Sequence, residues 1–264
     1  MNIFVVKLIL IVAFVFVRYT LFGQTITIPV VFHVVTPNAD VYPTRSHILT
    51  QLDILNQDFS GTNPGYNQVA NEFFSYRSTT PFRFCLAKRK ADGTASDGIE
   101  RATVNFAYDK NYPFWAGGTG SQAYPSDQYL NIYITNFSGG LKGTAPIYLP
   151  LFNGPSYGIT AYVVAVDYRY FGTIGTAPYN GGHTLTRFVA HWLGVSQIWG
   201  PDNTCFPDDG LSDTPTQAGP ILSCDSIAKT STCNSWEKLM VQNFMNDAGD
   251  ACKGFFTYQQ SQLM

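Results

Sequence analysis

The sequence predicts an α+β protein. Strands are predicted where apolar and β-branched residues cluster or alternate, at 25–36, 81–88, 98–104, 129–135 and 158–167. Two helices are predicted where apolar residues recur three or four positions apart, at 44–59 and 183–193. Four of the five cysteines lie in the last quarter of the chain, which predicts a disulfide-bonded C-terminal region in an exported protein.

Residues 1–24 have the features of a secretory signal peptide. Lys7 supplies a positive charge before the ten-residue apolar run Leu8 to Val17, and Leu21-Phe22-Gly23 is the candidate cleavage site. A helix that crosses a bilayer needs about 20 apolar residues. The segment therefore predicts a secreted or cell-envelope protein with no membrane span after signal removal. An uncleaved anchor over Ile3 to Phe16 is the alternative.

Residues 25–264 are predicted to form a single domain. Apolar residues make up 45% of the sequence, which is ample for a core, and no linker, repeat or low-complexity tract interrupts it. Removing Lys7 and Arg18 with the signal peptide leaves 14 basic and 18 acidic residues, so the formal net charge changes from -2 to -4. Basic residues are scattered apart from Lys88-Arg89-Lys90. Nothing in the charge pattern indicates nucleic-acid binding.

Residues 182–200 contain the most informative pattern in the chain. Leu185, Val189 and Leu193 recur at helical spacing, and Gly194 can end the helix in the left-handed conformation. Zinc proteases of the metzincin class carry His-Glu-x-x-His-x-x-Gly-x-x-His at such a helix, where the histidines bind zinc and the glutamate is the general base. His191 and Gly194 match this motif. Arg187 and Gln197 occupy the positions of the other two histidines, and Phe188 occupies the general-base position.

The residues around this helix resemble the pappalysin family of metzincins, the group that includes pregnancy-associated plasma protein A. The resemblance rests on Gly-x-Thr-Leu-Thr at 182–186, His-Trp-Leu-Gly at 191–194 and Ile-Trp-Gly at 198–200. Residues 243–247 also resemble the Met-turn, the turn beneath the metal, with Met245 as its methionine.

The resemblance covers nearly all of residues 25–264 and implies a metzincin-like α+β fold. Such a fold has a twisted mixed sheet with a backing helix and an active-site helix in an N-terminal lobe, here residues 25–194. An irregular, disulfide-stapled C-terminal lobe follows, here residues 195–264.

The resemblance also implies features of the C-terminal lobe. Four cysteines allow three pairings, and the family favours the interlaced one, Cys205 with Cys233 and Cys224 with Cys252. The segment 208–217 resembles a pappalysin segment that can hold calcium. Carboxylate and carbonyl oxygens suit calcium, and the candidate ligand residues are Asp208, Asp209, Asp213 and Thr214. An acidic turn with Asx-type hydrogen bonds is the alternative.

Three further expectations concern residues of the N-terminal lobe. The strand at 129–135 is expected to border the cleft and to bind substrate as an added β-strand, as the cleft strand does in metzincins. Cys85 is expected to be a buried, inert thiol. His33 is expected to be a core histidine that bonds to a backbone group.

The resemblance implies a zinc cofactor, but the substitutions remove the groups that zinc catalysis needs. Arg187 stays protonated and has no lone pair for a metal, and Gln197 offers only a weak amide oxygen. Phe188 cannot accept a proton from the attacking water. His183 lies about 12 Å along the helix from His191, too far to share one zinc ion. His191 is therefore the only strong ligand that remains.

The sequence therefore predicts a secreted pseudopeptidase that keeps the fold but does not cleave. It would bind a peptide or protein partner in the cleft between the lobes, in an uncharged, aromatic-lined groove with Phe188 at its floor. Two alternatives remain open: an active zinc metalloendopeptidase in which another residue joins His191, and a structural or interaction protein of the cell envelope. Serine or cysteine catalysis is disfavoured because no Gly-x-Ser-x-Gly motif is present and the sequence reveals no histidine partner for Cys85.

Overall fold

The computed structural model describes residues 24–39, 42–104, 120–137, 140–145, 162–200, 204–226 and 229–264. Residues 1–23 of the predicted signal peptide lie outside these ranges, as do residues 158–161 of the predicted last strand. Within the described ranges, no helix combines the length and apolar character needed to cross a membrane.

Eight strands and three α-helices are described. The strands are β1 (Ile26–Thr36), β2 (Arg77–Ser78), β3 (Phe82–Leu86), β4 (Ile99–Thr103), β5 (Leu130–Thr135), β6 (Gly143–Thr144), β7 (Val163–Asp167) and β8 (Phe256–Thr257). The helices are α1 (Arg45–Ser60), α2 (His183–Trp192) and α3 (Tyr258–Leu263). Short 3-10 turns lie between them, and two of these, Tyr168–Tyr170 and Gly172–Ile174, lead from β7 towards α2.

The strand β1 organises the main sheet because it is long enough to pair with three others. Its first half pairs with β3 and its second half with β4, and β5 lies along its other side. The strand β7 follows β5, and the short β6 pairs with β7 at the end of the sheet. All these pairs are parallel except that of β6 with β7, so the predicted mixed sheet is confirmed. The strands β2 and β8 form a separate antiparallel pair.

The expectation that residues 129–135 border the cleft is wrong. The strand β5 lies between β1 and β7, so its main-chain groups are paired on both sides. All six of its residues are buried. A central strand cannot accept an added peptide strand, because no row of free N–H and C=O groups is left on it. The strand β6 stands at the end of the strand order instead.

The helices α1 and α2 pack against each other and against one face of the sheet. The hydroxyl of Thr44 caps α1 by accepting a hydrogen bond from the amide of His47, and Gly61 ends it in the left-handed conformation at φ 66°. Apolar side chains from α1, α2, the sheet and the C-terminal region share one core, which includes Ile48, Leu55, Phe32, Ile132, Leu185, Val189, Met240 and Phe244. The helix α2 is thereby fixed on β7, which positions the side chains described below.

A smaller core covers the opposite face of the sheet and contains His33. Its ring stacks on Tyr133 at a centroid distance of 4.3 Å. Its Nδ1 atom lies 2.7 Å from Ser121 Oγ, and its Nε2 atom lies 3.0 Å from Asn131 Oδ1. Burial lowers the pKa of His33 to about 4. The expectation of a buried histidine is confirmed, but its partners are side chains and not a backbone group.

The region after α2 has little regular structure and contains two disulfides, Cys205–Cys233 and Cys224–Cys252. Each bond joins residues 28 positions apart. The two loops interlace because Cys224 lies between Cys205 and Cys233 in the sequence. The expectation of a buried Cys85 is wrong, since its side chain is exposed. In β3 the neighbours Phe82 and Phe84 face the core, and the alternation of a strand turns Cys85 to the other face.

Candidate functional site

The positions that the zinc motif assigns to metal and base lie around one cavity. The helix α2 supplies Arg187, Phe188 and His191, the segment after it supplies Gln197, and the C-terminal region supplies Met245. The cavity has a volume of about 150 Å³ and is closed on its other side by Gly143, Thr144 and Ala145. The structure thus brings residues from β6, α2 and residues 195–264 together at one place.

The imidazole of His191 lines the cavity and makes one hydrogen bond within the described ranges. Its Nδ1 atom lies 3.0 Å from the carbonyl oxygen of Val195, and a carbonyl only accepts, so Nδ1 carries the hydrogen. The neutral ring then has a lone pair on Nε2. Burial lowers the pKa of His191, and the positive charge of Arg187 adds to that shift, which favours the neutral ring.

The guanidinium of Arg187 is held by an anion and by two aromatic rings. Its Nη1 atom donates to Asp247 Oδ1 at 2.6 Å. Its Cζ atom lies 4.8 Å from the centroid of a Trp199 ring and 5.6 Å from that of Phe188. Burial lowers the pKa of Arg187 and the charge of Asp247 opposes that shift. Since guanidinium titrates far above neutrality, Arg187 remains a cation.

The carboxylate of Asp247 binds a second cation as well. The Lys142 ammonium donates to Asp247 Oδ2 at 2.9 Å and lies 3.6 Å from the centroid of the Tyr179 ring. The side chains of Lys142, Arg187 and Asp247 are each only 18 to 20% exposed. Two cations therefore share one anion in a region with little water, and the group carries a net positive charge.

Phe188 is an apolar wall of the cavity. Its ring packs so closely on β6 that a Cβ atom on Gly143 would lie 2.6 Å from Phe188 Cε2 and 2.5 Å from the carbonyl oxygen of Ala165. Glycine at 143 is therefore needed for this contact. Of the described residues that line the cavity, none is an acid. The expectation of an uncharged groove is wrong, because Arg187 lies in it, whereas Phe188 lines it as expected.

The turn that carries Met245 and Asp247 is held by a buried lysine. Lys253 donates from Nζ to the carbonyl oxygens of Asn243 and Phe244, each at 3.2 Å, and to that of Asn246. Burial lowers the pKa of Lys253 to about 7, while the three carbonyl oxygens stabilise the charged form. Met245 is buried beside the cavity. Its assignment as a Met-turn methionine stays a prediction.

His183 belongs to a separate buried cluster at the start of α2. Its Nδ1 atom lies 2.7 Å from Asp58 Oδ2, which also accepts from the hydroxyl of Thr186 at 2.5 Å. Burial lowers the pKa of His183, but the charge and hydrogen bond of Asp58 raise it by more, so that it lies above its ordinary value. For the Asp58 carboxyl, burial has the opposite effect and raises the pKa. His183 does not line the cavity.

The candidate calcium ligands are engaged in hydrogen bonds. Asp209 accepts from Thr214 Oγ1 at 2.8 and 2.9 Å and from the amide of Leu211. Asp208 accepts from the amide of Gly210. Asp213 accepts from Thr257 Oγ1 and from the amide of Gln259. These bonds match the alternative of an acidic turn, and calcium binding stays an untested prediction.

The groups on the cavity do not fit a catalytic zinc ion. Such an ion takes three protein ligands, and the motif positions supply one imidazole, one amide and one guanidinium. Across the described ranges, no group of three or more His, Cys, Asp or Glu side chains is placed to hold a metal ion. Since Arg187 brings a positive charge to the same cavity, it disfavours a metal ion there.

The mixed sheet, the helix that ends in His191-x-x-Gly194 and the irregular disulfide-bonded region define a metallopeptidase fold of the metzincin type. The structure of mature mirolysin from Tannerella forsythia, in complex with a cleaved peptide, matches 91% of this chain and 90% of its own, with TM-score 0.82 and 31% identity. The chain belongs to the peptidase family described as pregnancy-associated plasma protein-A, whose model matches residues 119–264.

Other relatives support this membership. Promirolysin of Tannerella forsythia, solved as a mutant, matches 91% of this chain and 80% of its own at TM-score 0.83 and 31% identity. A protein of Colletotrichum graminicola named extracellular metalloprotease is 28% identical over 93% of this chain and 78% of its own. One of the same name from Trichophyton verrucosum is 27% identical over 89% of this chain and 75% of its own.

Sequence reasoning did not identify Lys142, Trp199 and Asp247 as residues of this site. Asp247 lies 60 residues from Arg187 along the chain, and Lys142 lies 105 residues from Asp247. No spacing rule connects such positions. Asp247 lies in the segment that resembles the Met-turn, and the resemblance assigns a role there to Met245 alone. The usable signal was the cation Arg187 at a motif position that lies inside the cleft in the family, since a charge held there requires a counter-ion.

Proposed function

We propose that this chain is a secreted pseudopeptidase that binds an extended peptide segment of a partner in the cleft beside α2 and does not cleave it. The observation that carries this proposal is the ion pair of Arg187 with Asp247. It places a paired, aromatic-flanked guanidinium at the position where the family motif has a zinc-binding histidine. The fold around it remains that of a peptidase.

The edge of the sheet supports peptide binding. The strand β6 lies at the end of the described strand order and also lines the cavity. An extended peptide can add to a strand at a sheet edge through main-chain hydrogen bonds, while its side chains enter adjacent pockets. This binding needs neither zinc nor a general base, so the substitutions at 187, 188 and 197 leave it intact.

Extracellular location is part of the proposal. Two disulfides indicate an oxidising compartment, and the relatives named above are called extracellular metalloproteases. Those names also favour the second candidate, an active zinc endopeptidase with altered ligands, since His191 retains a nitrogen that can bind a metal.

Cleavage of an unfolded protein separates the two candidates. The mature chain is incubated with a reduced, unfolded protein at micromolar zinc, with and without a chelator. We expect no cleavage products in either case. Cleavage that zinc supports and the chelator stops would establish the active endopeptidase and refute the pseudopeptidase.

Binding is measured on the same samples with a peptide pool made by digesting that unfolded protein. Thr144→Trp places a large ring at the exposed edge residue of the cavity, and Thr103→Trp is the matched control at an exposed strand residue elsewhere. We expect bound peptides for wild type and Thr103→Trp and a large loss for Thr144→Trp. Absence of peptide binding in all three proteins would favour a structural or interaction role without use of the cleft.

A further inference from the structure

The cavity contains a permanent charge that the chain does not fully neutralise. Arg187 and Lys142 both bind Asp247, so one carboxylate serves two cations. Asp247 itself does not line the cavity, and neither does any other acid among the described lining residues. Arg187 therefore brings an excess positive charge to a space whose described walls hold no carboxylate to balance it.

Arg187 has hydrogen-bond donors left for a ligand. A guanidinium carries five N–H groups, and within the described ranges Arg187 makes one hydrogen bond, from Nη1 to Asp247. The Arg187 Cζ atom lies over the Trp199 and Phe188 rings, and neither side chain has a lone-pair acceptor for its N–H groups. Part of the side chain is open, since 18% of it is exposed. A planar group with free donors at its edge is the preferred partner of a carboxylate.

We propose that the cavity binds a carboxylate of the extended peptide, with the Arg187 guanidinium as its anchor. This inference rests on the proposed peptide-binding function and names the chemistry that the cleft selects. The volume of about 150 Å³ accommodates a carboxylate with a short side chain. The adjacent β6 edge supplies main-chain partners for the rest of the peptide.

His191 completes the recognition of such a group. It lies one helical turn from Arg187, on the same side of α2, and its Nε2 atom is an acceptor. A peptide that ends in a carboxylate presents an N–H group next to that carboxylate. Arg187 therefore donates to the carboxylate of such a peptide, and His191 accepts from the N–H group beside that carboxylate.

Four short peptides test the proposal by isothermal titration calorimetry. Acetyl-tetraalanine with a free C-terminus is compared with its C-terminal amide, and acetyl-Ala-Ala-Glu-Ala-amide is compared with the peptide that has Gln in place of Glu. We expect at least one acid to bind about tenfold or more tightly than its neutral counterpart. The pair that shows the difference identifies the source of the carboxylate, a chain end or an acidic side chain.

Two variants assign that preference to Arg187. Arg187→Gln removes the charge and should abolish the difference between acid and neutral peptide, whereas Arg45→Gln, in an exposed ion pair with Asp97, should preserve it. Asp247→Asn keeps Arg187 but removes its internal counter-ion, and it should strengthen acid binding several-fold. A gain of affinity cannot come from loss of folding.

The outcomes separate this inference from the function it rests on. Equal binding of acid and neutral peptides by wild type, with binding lost in Thr144→Trp, would overturn the carboxylate anchor and leave peptide binding standing. An acid preference that survives Arg187→Gln would also overturn it. Absence of binding of any of the four peptides, together with no binding of the digest pool, would overturn both.

Discussion

The Nη1 atom of Arg187 lies 2.6 Å from Oδ1 of Asp247, and the other oxygen of that carboxylate binds Lys142 at 2.9 Å. The carboxylate of Asp247 is therefore the counter-ion in both ion pairs. Removing one partner of a largely buried pair costs more than the pair itself contributes, because the remaining charge loses its compensation. The arrangement makes the three residues unequal in their effect on stability.

Asp247→Asn should destabilise the protein more than Arg187→Met does. The first change leaves two cations without a counter-ion and should cost about 2–4 kcal/mol, whereas the second leaves Asp247 paired with Lys142 and should cost about 1–2 kcal/mol. Urea unfolding of both variants measures the difference. Asp97→Asn, in an exposed pair, serves as the control and should cost less than about 1 kcal/mol. Equal losses for Asp247→Asn and Arg187→Met would contradict the shared-anion arrangement.

Lys253→Met should destabilise the protein although it removes a buried charge. The buried carbonyl oxygens of Phe244 and Asn246 would lose this donor, whereas that of Asn243 still accepts from the amide of Asn246. An unsatisfied buried acceptor costs about 1–3 kcal/mol. This cost exceeds the free energy regained when the ammonium is no longer buried, and we expect a net loss of stability of about 2–4 kcal/mol. Lys229→Met, at an exposed lysine, is the matched control. Urea unfolding of wild type, Lys253→Met and Lys229→Met at pH 6 measures these losses of stability. A Lys253→Met variant as stable as wild type would refute the stabilising role of Lys253.

His183 should make folding stability depend on pH. In the folded state its pKa lies above the ordinary value of 6.5, because Asp58 favours the charged ring by more than burial opposes it. A raised pKa means that the folded protein holds a proton more firmly than the unfolded chain does. The stabilisation is thus fully present below pH 6.5 and is lost as pH rises through the folded pKa. The raised pKa of Asp58 acts in the same direction.

Thermal unfolding of wild type and His183→Gln between pH 5 and 9 measures this contribution. The stability difference between the two proteins should be largest at pH 5 and should shrink towards pH 9. Taking the difference removes the opposite trend that Lys253 produces, since its pKa is lowered to about 7. A difference that grows with pH would contradict the charged pairing of His183 with Asp58.

Local patterns predicted the elements that position the site. The spacing of apolar residues over 44–59 identified α1, and Gly194 marked the end of α2, where it has positive φ. These features depend on neighbouring residues, so a sequence displays them directly. The apolar run of residues 25–36 likewise matched β1, which pairs on both sides as a central strand should.

Features that depend on distant residues were beyond such patterns. The order of strands decided that β5 is central and β6 is at the end, and nothing in residues 129–135 carries that information. The partners of Arg187 and His183 lie 60 and 125 residues away. The apolar neighbours of Cys85 predict a buried thiol, although strand alternation between Phe84 and Leu86 places it on the opposite face. The family motif was informative because its residues lie on one helix and just after it, so their spacing in the sequence reflects their positions around one site.

In our proposal, this chain retains the metzincin fold with a cavity that does not hold zinc. The decisive measurement is zinc per chain, by elemental analysis after dialysis against micromolar zinc. The comparison is between the mature protein and a variant with Arg187→His, Phe188→Glu and Gln197→His. We expect a metal-free wild type and about one zinc ion per chain in the variant, since its two new histidines complete a set of three ligands with His191. About one zinc ion bound to the wild type would refute the zinc-free cavity and make the active peptidase the better description.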